Sequence, residues 1–198
     1  MIGTQENALI VTDRPLASVA LLLTLTHTAL ADSTTSATNV DRLDPSHLEF
    51  GYDDAEAGFN GVYLRASYDL NARYAAAMES ALLRGHGTNH SRVFAGGTYV
   101  FNPMPEFPKP LQAEARAGVL YADFDDDDEF GVLIGGRLLA ELAPKAVLEA
   151  GIDWHGAGEN TLVWRLGGRY TLSDALYLRA QYNVGDIDEL TLSIGTFF

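Results

Sequence analysis

The amino-acid sequence predicts an all-β fold: a closed antiparallel up-and-down transmembrane β-barrel of about ten strands, with eight strands as the alternative. Two observations support this prediction. From about Leu48 onward, apolar residues recur at every second position and charged residues stand between them, which is strand periodicity. No apolar run reaches the roughly 18 residues of a transmembrane helix, whereas a membrane-spanning strand needs only about ten residues of alternating character.

The composition excludes several classes of function. The 198-residue chain has no cysteine, which rules out a disulfide scaffold and any Cys-ligated metal site. Its formal net charge of −14 argues against nucleic-acid binding, because phosphate contacts need a basic patch. The mean hydropathy of −0.01 resembles that of a soluble protein. Alternating membrane strands average to the same value, so hydropathy does not separate the two classes.

The first 31 residues have the organisation of a signal peptide. Residues 16–25 form an apolar core, and Ala29-Leu30-Ala31 has the small-x-small form that a signal peptidase needs. Cleavage is therefore predicted between Ala31 and Asp32. The competing interpretation is a buried helix of a soluble domain.

The region before this apolar core lacks the usual positive excess. It contains Glu6 and Asp13 against Arg14. We therefore expect translation to start nearer Val11, with the preceding residues as a start-site extension. N-terminal sequencing of the precursor tests this expectation.

Two further segments complete the predicted organisation. Residues 32–46 are small, polar and aperiodic, which predicts a flexible periplasmic lead-in. Residues 47–198 are predicted to form the barrel. The clearest strand is Thr161–Leu172, in which Leu162, Trp164 and Leu166 share one parity. The predicted strands are 47–54, 59–70, 73–84, 91–101, 111–123, 130–142, 146–155, 161–172, 175–184 and 189–198.

The links between these strands fall into two sets. Asn71-Ala72, Ala143-Pro144 and Ser173-Asp174 are tight and predict periplasmic hairpin turns, together with the longer Asn102–Pro110 link. The opposite links are rich in acidic residues or glycine, and are predicted to face the cell exterior. They comprise the segments 53–56, 125–129, 156–160 and 186–189.

The charged side chains lie on the face opposite the leucine and aromatic stripe. In a membrane barrel this face lines the lumen, because a charge on the lipid face costs roughly 2–4 kcal/mol at mid-depth. A soluble, lipocalin-like barrel is the alternative, and it would invert the two faces. The predicted lumen residues are Arg65, Asp69, Arg73, Glu79, Arg92, Glu114, Arg116, Arg137, Glu141, Glu149, Asp153, Arg165, Arg169 and Arg179.

Aromatic residues concentrate near the ends of the predicted strands. This position suits the interfacial girdles of a membrane barrel. Plain packing within a sheet is the alternative for any single one of them. The residues concerned are Tyr68, Tyr99, Phe101, Tyr121, Phe130, Trp154, Tyr170 and Tyr182.

The final segment alternates Leu190, Leu192 and Ile194 and ends on Phe198. It resembles the C-terminal insertion signal of small outer-membrane β-barrel proteins of Gram-negative bacteria. The resemblance covers the chain from about Leu48 to Phe198. It implies an outer-membrane location among lipid and lipopolysaccharide, with periplasmic chaperones and the barrel assembly machinery as partners during biogenesis. It implies no particular ligand or cofactor, and the short exterior loops depart from the family's longer ones.

Three functions remain open from the sequence. The first is a structural or passive outer-membrane barrel whose lumen is filled by ion pairs. The second is a narrow pore for small solutes, which the apparent arginine excess would make weakly anion-selective. The third is a hydrolase at the rim, in which Asp153 and His155, two positions apart on one face, activate water or a serine. No serine or second acidic pair matches them, so the chain is expected not to be an enzyme.

Two other clusters could hold a metal ion. Asp125, Asp126, Asp127, Asp128 and Glu129 offer the oxygen ligands that Ca²⁺ or Mg²⁺ prefer, but without the spacing of a calcium-binding loop. A solvated acidic tip is the simpler interpretation. His86 and His90 flank a glycine-containing segment, and surface histidines are the simpler interpretation there. No metal or cofactor is therefore predicted.

Overall fold

The computed structural model describes residues 42–101, 110–124, 127–157, 160–185 and 188–198. The predicted signal peptide, residues 32–41 of the predicted lead-in and most of the Asn102–Pro110 link lie outside these residues. Over the described ranges, no helix is long and apolar enough to cross a membrane.

The described part of the chain contains ten β-strands and one turn of 3₁₀-helix, Glu56–Gly58. The strands are β1 (His47–Ala55), β2 (Phe59–Asp69), β3 (Tyr74–Gly85), β4 (Thr88–Val100), β5 (Leu111–Phe124), β6 (Asp127–Ala143), β7 (Ala146–His155), β8 (Thr161–Thr171), β9 (Leu176–Val184) and β10 (Glu189–Phe197).

The strands form one closed antiparallel sheet. Each strand pairs with its neighbours in sequence, and β1 pairs with β10, from His47 opposite Phe197 to Ala55 opposite Glu189. The predicted ten-stranded up-and-down barrel is confirmed, and the eight-stranded alternative is wrong. An even number of strands brings both ends of the sheet to one side. We call the side of Ser46 and Phe198 the terminal end and the other side the loop end.

The strands at the loop end are longer than the alternation predicted. The segment from Gly85 to His90 is not a loop, since His86 and Gly87 alone make the turn and Thr88 already pairs with Gly85. Both turn residues have positive φ, at 50° and 83°, which matches the twist of a two-residue hairpin. Likewise β6 begins at Asp127, inside the acidic segment that was expected to be a loop.

The outer surface of the barrel is apolar. On every described strand except β4, outward positions carry large exposed side chains, such as Phe50, Leu138, Trp164 and Ile194. Aromatic rings cluster at both borders of this surface. At the terminal end Tyr99 lies 5.1 Å from Tyr74 and 5.0 Å from Phe101, and at the loop end the rings of Tyr121 and Phe130 are 4.9 Å apart. We call this surface the apolar belt.

One pair of glycines makes room for a lumen side chain. Gly96 and Gly118 lie opposite each other on β4 and β5, and the ring of Phe94 lies over both. A Cβ added to Gly118 would stand 2.3 Å from the carbonyl oxygen of Ala95 and 2.7 Å from the Phe94 ring. The pair therefore allows Phe94 to be buried inside the barrel.

This close approach predicts the effect of a single methyl group. Gly118→Ala should lower the free energy of unfolding by about 1–3 kcal/mol, since neither the backbone nor the buried ring can give way easily. Denaturant titration in detergent measures the change. Gly97→Ala is the matched control: it faces outward and its added Cβ would have 3.6 Å to the nearest atom. Equal stability of both variants would contradict the prediction.

Candidate functional site

The lumen is the candidate functional site, and an arginine lies at its centre. The Arg116 guanidinium donates to both carboxylate oxygens of Asp153, at 2.8 and 2.6 Å, and to Glu79 at 2.6 Å. Arg165 reaches the same two acids, with 3.4 Å between its terminal nitrogens and Glu79. These four residues come from four different strands, so their ion pairs cross the barrel.

A second group of ion pairs lies toward the terminal end. Arg137 donates to Glu114 at 2.6 Å and to Glu149 at 3.4 Å, and Arg179 donates to both oxygens of Glu149 at 2.9 and 2.8 Å. Glu49 also accepts from Arg179 at 3.3 Å. Because each carboxylate has more than one partner, the charges are compensated although little water reaches them.

A chain of hydrogen bonds follows the inner wall from this group to the loop end. Arg179 contacts Gln181, whose amide donates to Asn183 at 2.6 Å, and Asn183 donates to Glu189 at 3.1 Å. Arg92 binds the same Glu189 oxygen at 2.9 Å. The polar network therefore extends through most of the lumen.

Residues 42–46 fill the mouth of the barrel at the terminal end. Asp44 is buried and forms ion pairs with Arg65 (3.2 Å), Arg169 (2.7 Å) and Arg137. Arg42 pairs with Asp69. We call residues 42–46 the N-terminal segment.

Backbone contacts fix the same segment. The Leu43 N–H donates to Gln112 at 2.9 Å and its carbonyl accepts from Arg169, while the Ser46 hydroxyl accepts from the Asp69 N–H at 2.9 Å. Residues 42–46 thus differ from the flexible lead-in expected for residues 32–46. The reason is the buried Asp44 carboxylate, which three arginines of the wall hold in the lumen.

Asp44 precedes β1 and so lies outside the strands of the barrel. Burial alone raises the pKa of its carboxyl group. The positive charges around it, Arg137 foremost, outweigh burial and hold the pKa of Asp44 well below its usual range. Asp44 is therefore a carboxylate at neutral pH.

An apolar cluster fills the lumen toward the loop end. Phe94, Leu120, Ala122, Leu133 and Ala157 pack together there, and the Arg116 guanidinium lies 5.3 Å from the centre of the Phe94 ring. Two cavities within the lumen have volumes of about 10 Å³ each. That volume is about the space of one water molecule.

The structure brings most of the predicted lumen residues together, but not all of them. Arg73 is an exception: it lies exposed in the turn between β2 and β3, where its guanidinium is 3.4 Å from the Tyr99 hydroxyl. It departs from the inner face because β2 ends at Asp69 and β3 begins only at Tyr74. Glu141 has inward parity but is half-exposed near the terminal end.

The expected arginine excess of the lumen is absent from the described residues. Its arginines are Arg42, Arg65, Arg92, Arg116, Arg137, Arg165, Arg169 and Arg179. They face Asp44, Glu49, Asp53, Asp69, Glu79, Glu114, Glu149, Asp153 and Glu189. The carboxylates are at least as numerous, so the basis for anion selectivity is lost.

Asp153 and His155 do not form a site at the rim. Both point into the lumen and are only 2% and 8% exposed. Both Asp153 oxygens accept hydrogen bonds from Arg116, and Arg165 also pairs with this carboxylate. Asp153 is thus committed to arginines, and in the described part of the chain both side chains are closed off from bulk solvent.

The structure describes one of the two clusters that were considered as metal sites and part of the other. His86 lies in the β3–β4 turn, and the His90 ring packs edge-on against Phe59, 4.4 Å between centres. Asp125 and Asp126 lie outside the described residues. Within the described ranges, no group of three or more His, Asp or Glu side chains is arranged to hold a metal ion.

The lumen contains more residues than the predicted list. Glu49, Tyr177, Gln181 and Asn183 also lie inside it, and they have the inward parity of the predicted set. Asp53 lies in β1 with its side chain buried, although it was assigned to an exterior loop. Asp44 carries no periodic signal, because it precedes the first strand.

The predicted insertion-signal residues form the part of the apolar belt that lies along β10 and at Phe198. Leu190, Leu192, Ile194 and Phe198 all point outward and are exposed. Between them, Phe197 points inward and its ring stacks on Tyr177 at 4.6 Å.

No protein-family model matches the chain, and no curated protein matches its sequence. Among solved structures, the KdgM porin in complex with disordered oligogalacturonate matches with 9% identity and a TM-score of 0.46, over 77% of this chain and 99% of that one. The N-terminal β-barrel domain of Pseudomonas aeruginosa OprF matches with 14% identity and a TM-score of 0.39, over 77% and 97%. Identities and TM-scores this low support no statement about a ligand or an activity of this chain.

The contacts of Asp44 predict a pH-dependent contribution to stability. At neutral pH, Asp44→Asn should lower the free energy of unfolding by about 3 kcal/mol, because three buried arginines lose their shared partner. The lowered pKa means that the carboxylate stabilises the fold above its ordinary pKa of about 3.9, and that this advantage declines as the pH falls further. Denaturant titrations of both proteins from pH 7 to pH 3 measure it. A difference independent of pH would contradict the assignment.

Proposed function

We propose that this chain is a structural outer-membrane β-barrel whose lumen is sealed by its own side chains. The main support for this proposal is the crowded lumen. Ion pairs cross its centre, the N-terminal segment fills one end and apolar side chains pack toward the other. Two cavities between described residues of the lumen have volumes of about 10 Å³ each, which is too small for a solute. A sealed wall in the membrane fits a role in envelope integrity or surface properties.

The two faces of the barrel support the proposed membrane location. The buried charges are inside and the exposed large apolar side chains are outside, the inverse of a soluble, lipocalin-like barrel. An apolar surface that surrounds a whole barrel is unfavourable in water and favourable in lipid. Closure by β1 and β10 pairs the backbone groups of the edge strands, as a bilayer requires.

The outer membrane is the bilayer we propose for it. Three features support this: the predicted signal peptide, the outward Leu190, Leu192, Ile194 and Phe198 of the insertion signal, and an acidic loop end. The terminal end then faces the periplasm and the loop end faces the exterior. Periplasmic chaperones and the barrel assembly machinery are the proposed partners during biogenesis, and lipid and lipopolysaccharide are the proposed surroundings.

A narrow pore is the second candidate, and one observation favours it. The N-terminal segment is not part of the barrel wall, yet it fills the terminal mouth through side-chain contacts. Its release would open that end of the lumen. The apolar cluster around Phe94 and Leu133 would still obstruct the loop end.

Conductance in planar bilayers distinguishes these two functions. We expect the mature chain to show no steady channel, and Asp44→Ala to add at most brief openings, because the central Arg116–Asp153 pair remains in place. Detergent extracts of folded protein, verified by a shift between unboiled and boiled gel samples, are reconstituted for the recordings. A stable open channel in the unmodified chain would overturn the sealed-barrel proposal in favour of the pore.

A charge placed on the apolar belt tests the membrane location. Leu192→Arg should lower the free energy of unfolding in lipid vesicles by roughly 2–4 kcal/mol, because Leu192 points outward from the middle of β10. Ala72→Arg, in the exposed β2–β3 turn, is the control and should change it little. If Leu192→Arg costs nothing and the protein folds in plain buffer, the belt does not face lipid.

A further inference from the structure

A groove crosses the outer wall of the barrel over strands β5 to β9. Its volume is about 680 Å³, within the range of roughly 300–1,000 Å³ that small-molecule sites occupy. One border is a single row of paired residues, one from each strand: Ala113, Leu138, Ala150, Leu166 and Tyr182. All five have outward parity.

A second row of paired residues forms the other border. It runs from Gly136 on β6 through Ile152 and Trp164 to Val184 on β9. Gly136 and Ala150 contribute almost no side-chain volume, whereas Trp164 and Leu166 stand out from the wall and are more than half exposed. The alternation of small and large residues produces the depression.

The groove runs across the apolar belt, starting near its border at the loop end. Its five strands are spaced about 4.8 Å apart, which gives a length of about 19 Å. Tyr182 is two residues from the loop end of β9, and its hydroxyl donates to Asp188 at 2.8 Å. Ala113 is two residues from the terminal end of β5. The groove therefore runs obliquely from the polar border at the loop end into the belt.

We propose that this groove binds one acyl chain of a membrane lipid from the leaflet at the loop end. This inference rests on the proposed membrane location. The groove is continuous with the apolar belt, and none of the outward side chains in its two rows is charged. Arg137 and Arg165 border it, but their guanidinium groups are paired with acids inside the lumen.

The shape of the groove argues against a second copy of the chain as the occupant. Symmetric dimers place the same patch of both subunits against each other. Two concave grooves facing each other would leave a void rather than fill it. A flexible hydrocarbon chain follows a narrow concave surface, and Tyr182 marks the end at which its polar headgroup would meet water.

The two tryptophans allow a direct test. In Trp154→Phe the remaining tryptophan is Trp164, which lines the groove. In Trp164→Phe it is Trp154, which faces outward on β7 but does not line the groove. Each folded protein in detergent is titrated with a phosphatidylcholine brominated along its acyl chains, which quenches tryptophan on contact. We expect quenching of Trp164 to saturate near one lipid per protein, and quenching of Trp154 to rise in proportion to the lipid content of the micelle.

Filling the groove gives the matched comparison. Ala150→Leu and Ala113→Leu, each in the Trp154→Phe protein, should abolish the saturating phase of Trp164 quenching. Ala95→Leu is the control: Ala95 is also small, outward and exposed, but lies on β4 outside the groove. It should leave the saturating phase intact.

The outcomes separate this inference from the proposed function. Proportional quenching of both tryptophans in a folded barrel would overturn the lipid site and leave the membrane location standing. Protection of Trp164 from quenching, together with a dimer by light scattering, would overturn it in favour of a second copy. A chain that folds in plain buffer, with neither tryptophan quenched in brominated vesicles, would overturn the proposed function itself.

Discussion

The pairing of β1 with β10 governs every other feature of the barrel. It turns an open sheet, whose two edge strands would leave unpaired N–H and C=O groups, into a closed wall. Closure also makes the sheet two-sided in a strict sense, since each side chain faces either the lumen or the surroundings. The period of two along each strand then determines the environment of every residue.

Closure also turns the polar face of the sheet into the interior of the barrel. Charged side chains on that face are withdrawn from bulk water, and an unpaired one would be costly. The observed solution is shared pairing: Arg116 contacts two acids, Glu149 contacts two arginines, and Asp44 contacts three. Such a network holds the wall together across the lumen, so it stabilises the barrel as a whole rather than single hairpins.

The number of strands sets how much room this network leaves. Eight strands enclose a space that side chains just fill, and ten enclose somewhat more. This chain uses the additional space for Phe94 with its cluster and for the N-terminal segment. The same wall has an uneven outer face, where Gly136 and Ala150 lie between larger residues. A passive barrel can thus differ around its circumference in how it meets lipid.

The number of strands, their antiparallel order and the two faces could be predicted from the sequence alone, because alternation and turn chemistry are local properties. The positions of Arg65, Arg116 and Arg179 on the inner face followed from parity alone. Which carboxylate each arginine contacts could not be predicted, since partners such as Arg116 and Asp153 are 37 positions apart and meet only across the closed lumen.

Other features depend on contacts between distant residues, which the periodicity of a strand does not predict. Asp44 precedes the strands and belongs to no alternating segment. Three arginines of the wall nevertheless hold its carboxylate in the lumen at the terminal end. Arg73 has the right parity for the lumen, but the end of β2 places it in an exposed turn. Local alternation assigns a residue to a face, while occupancy of the lumen depends on where each strand ends and which charges meet after closure.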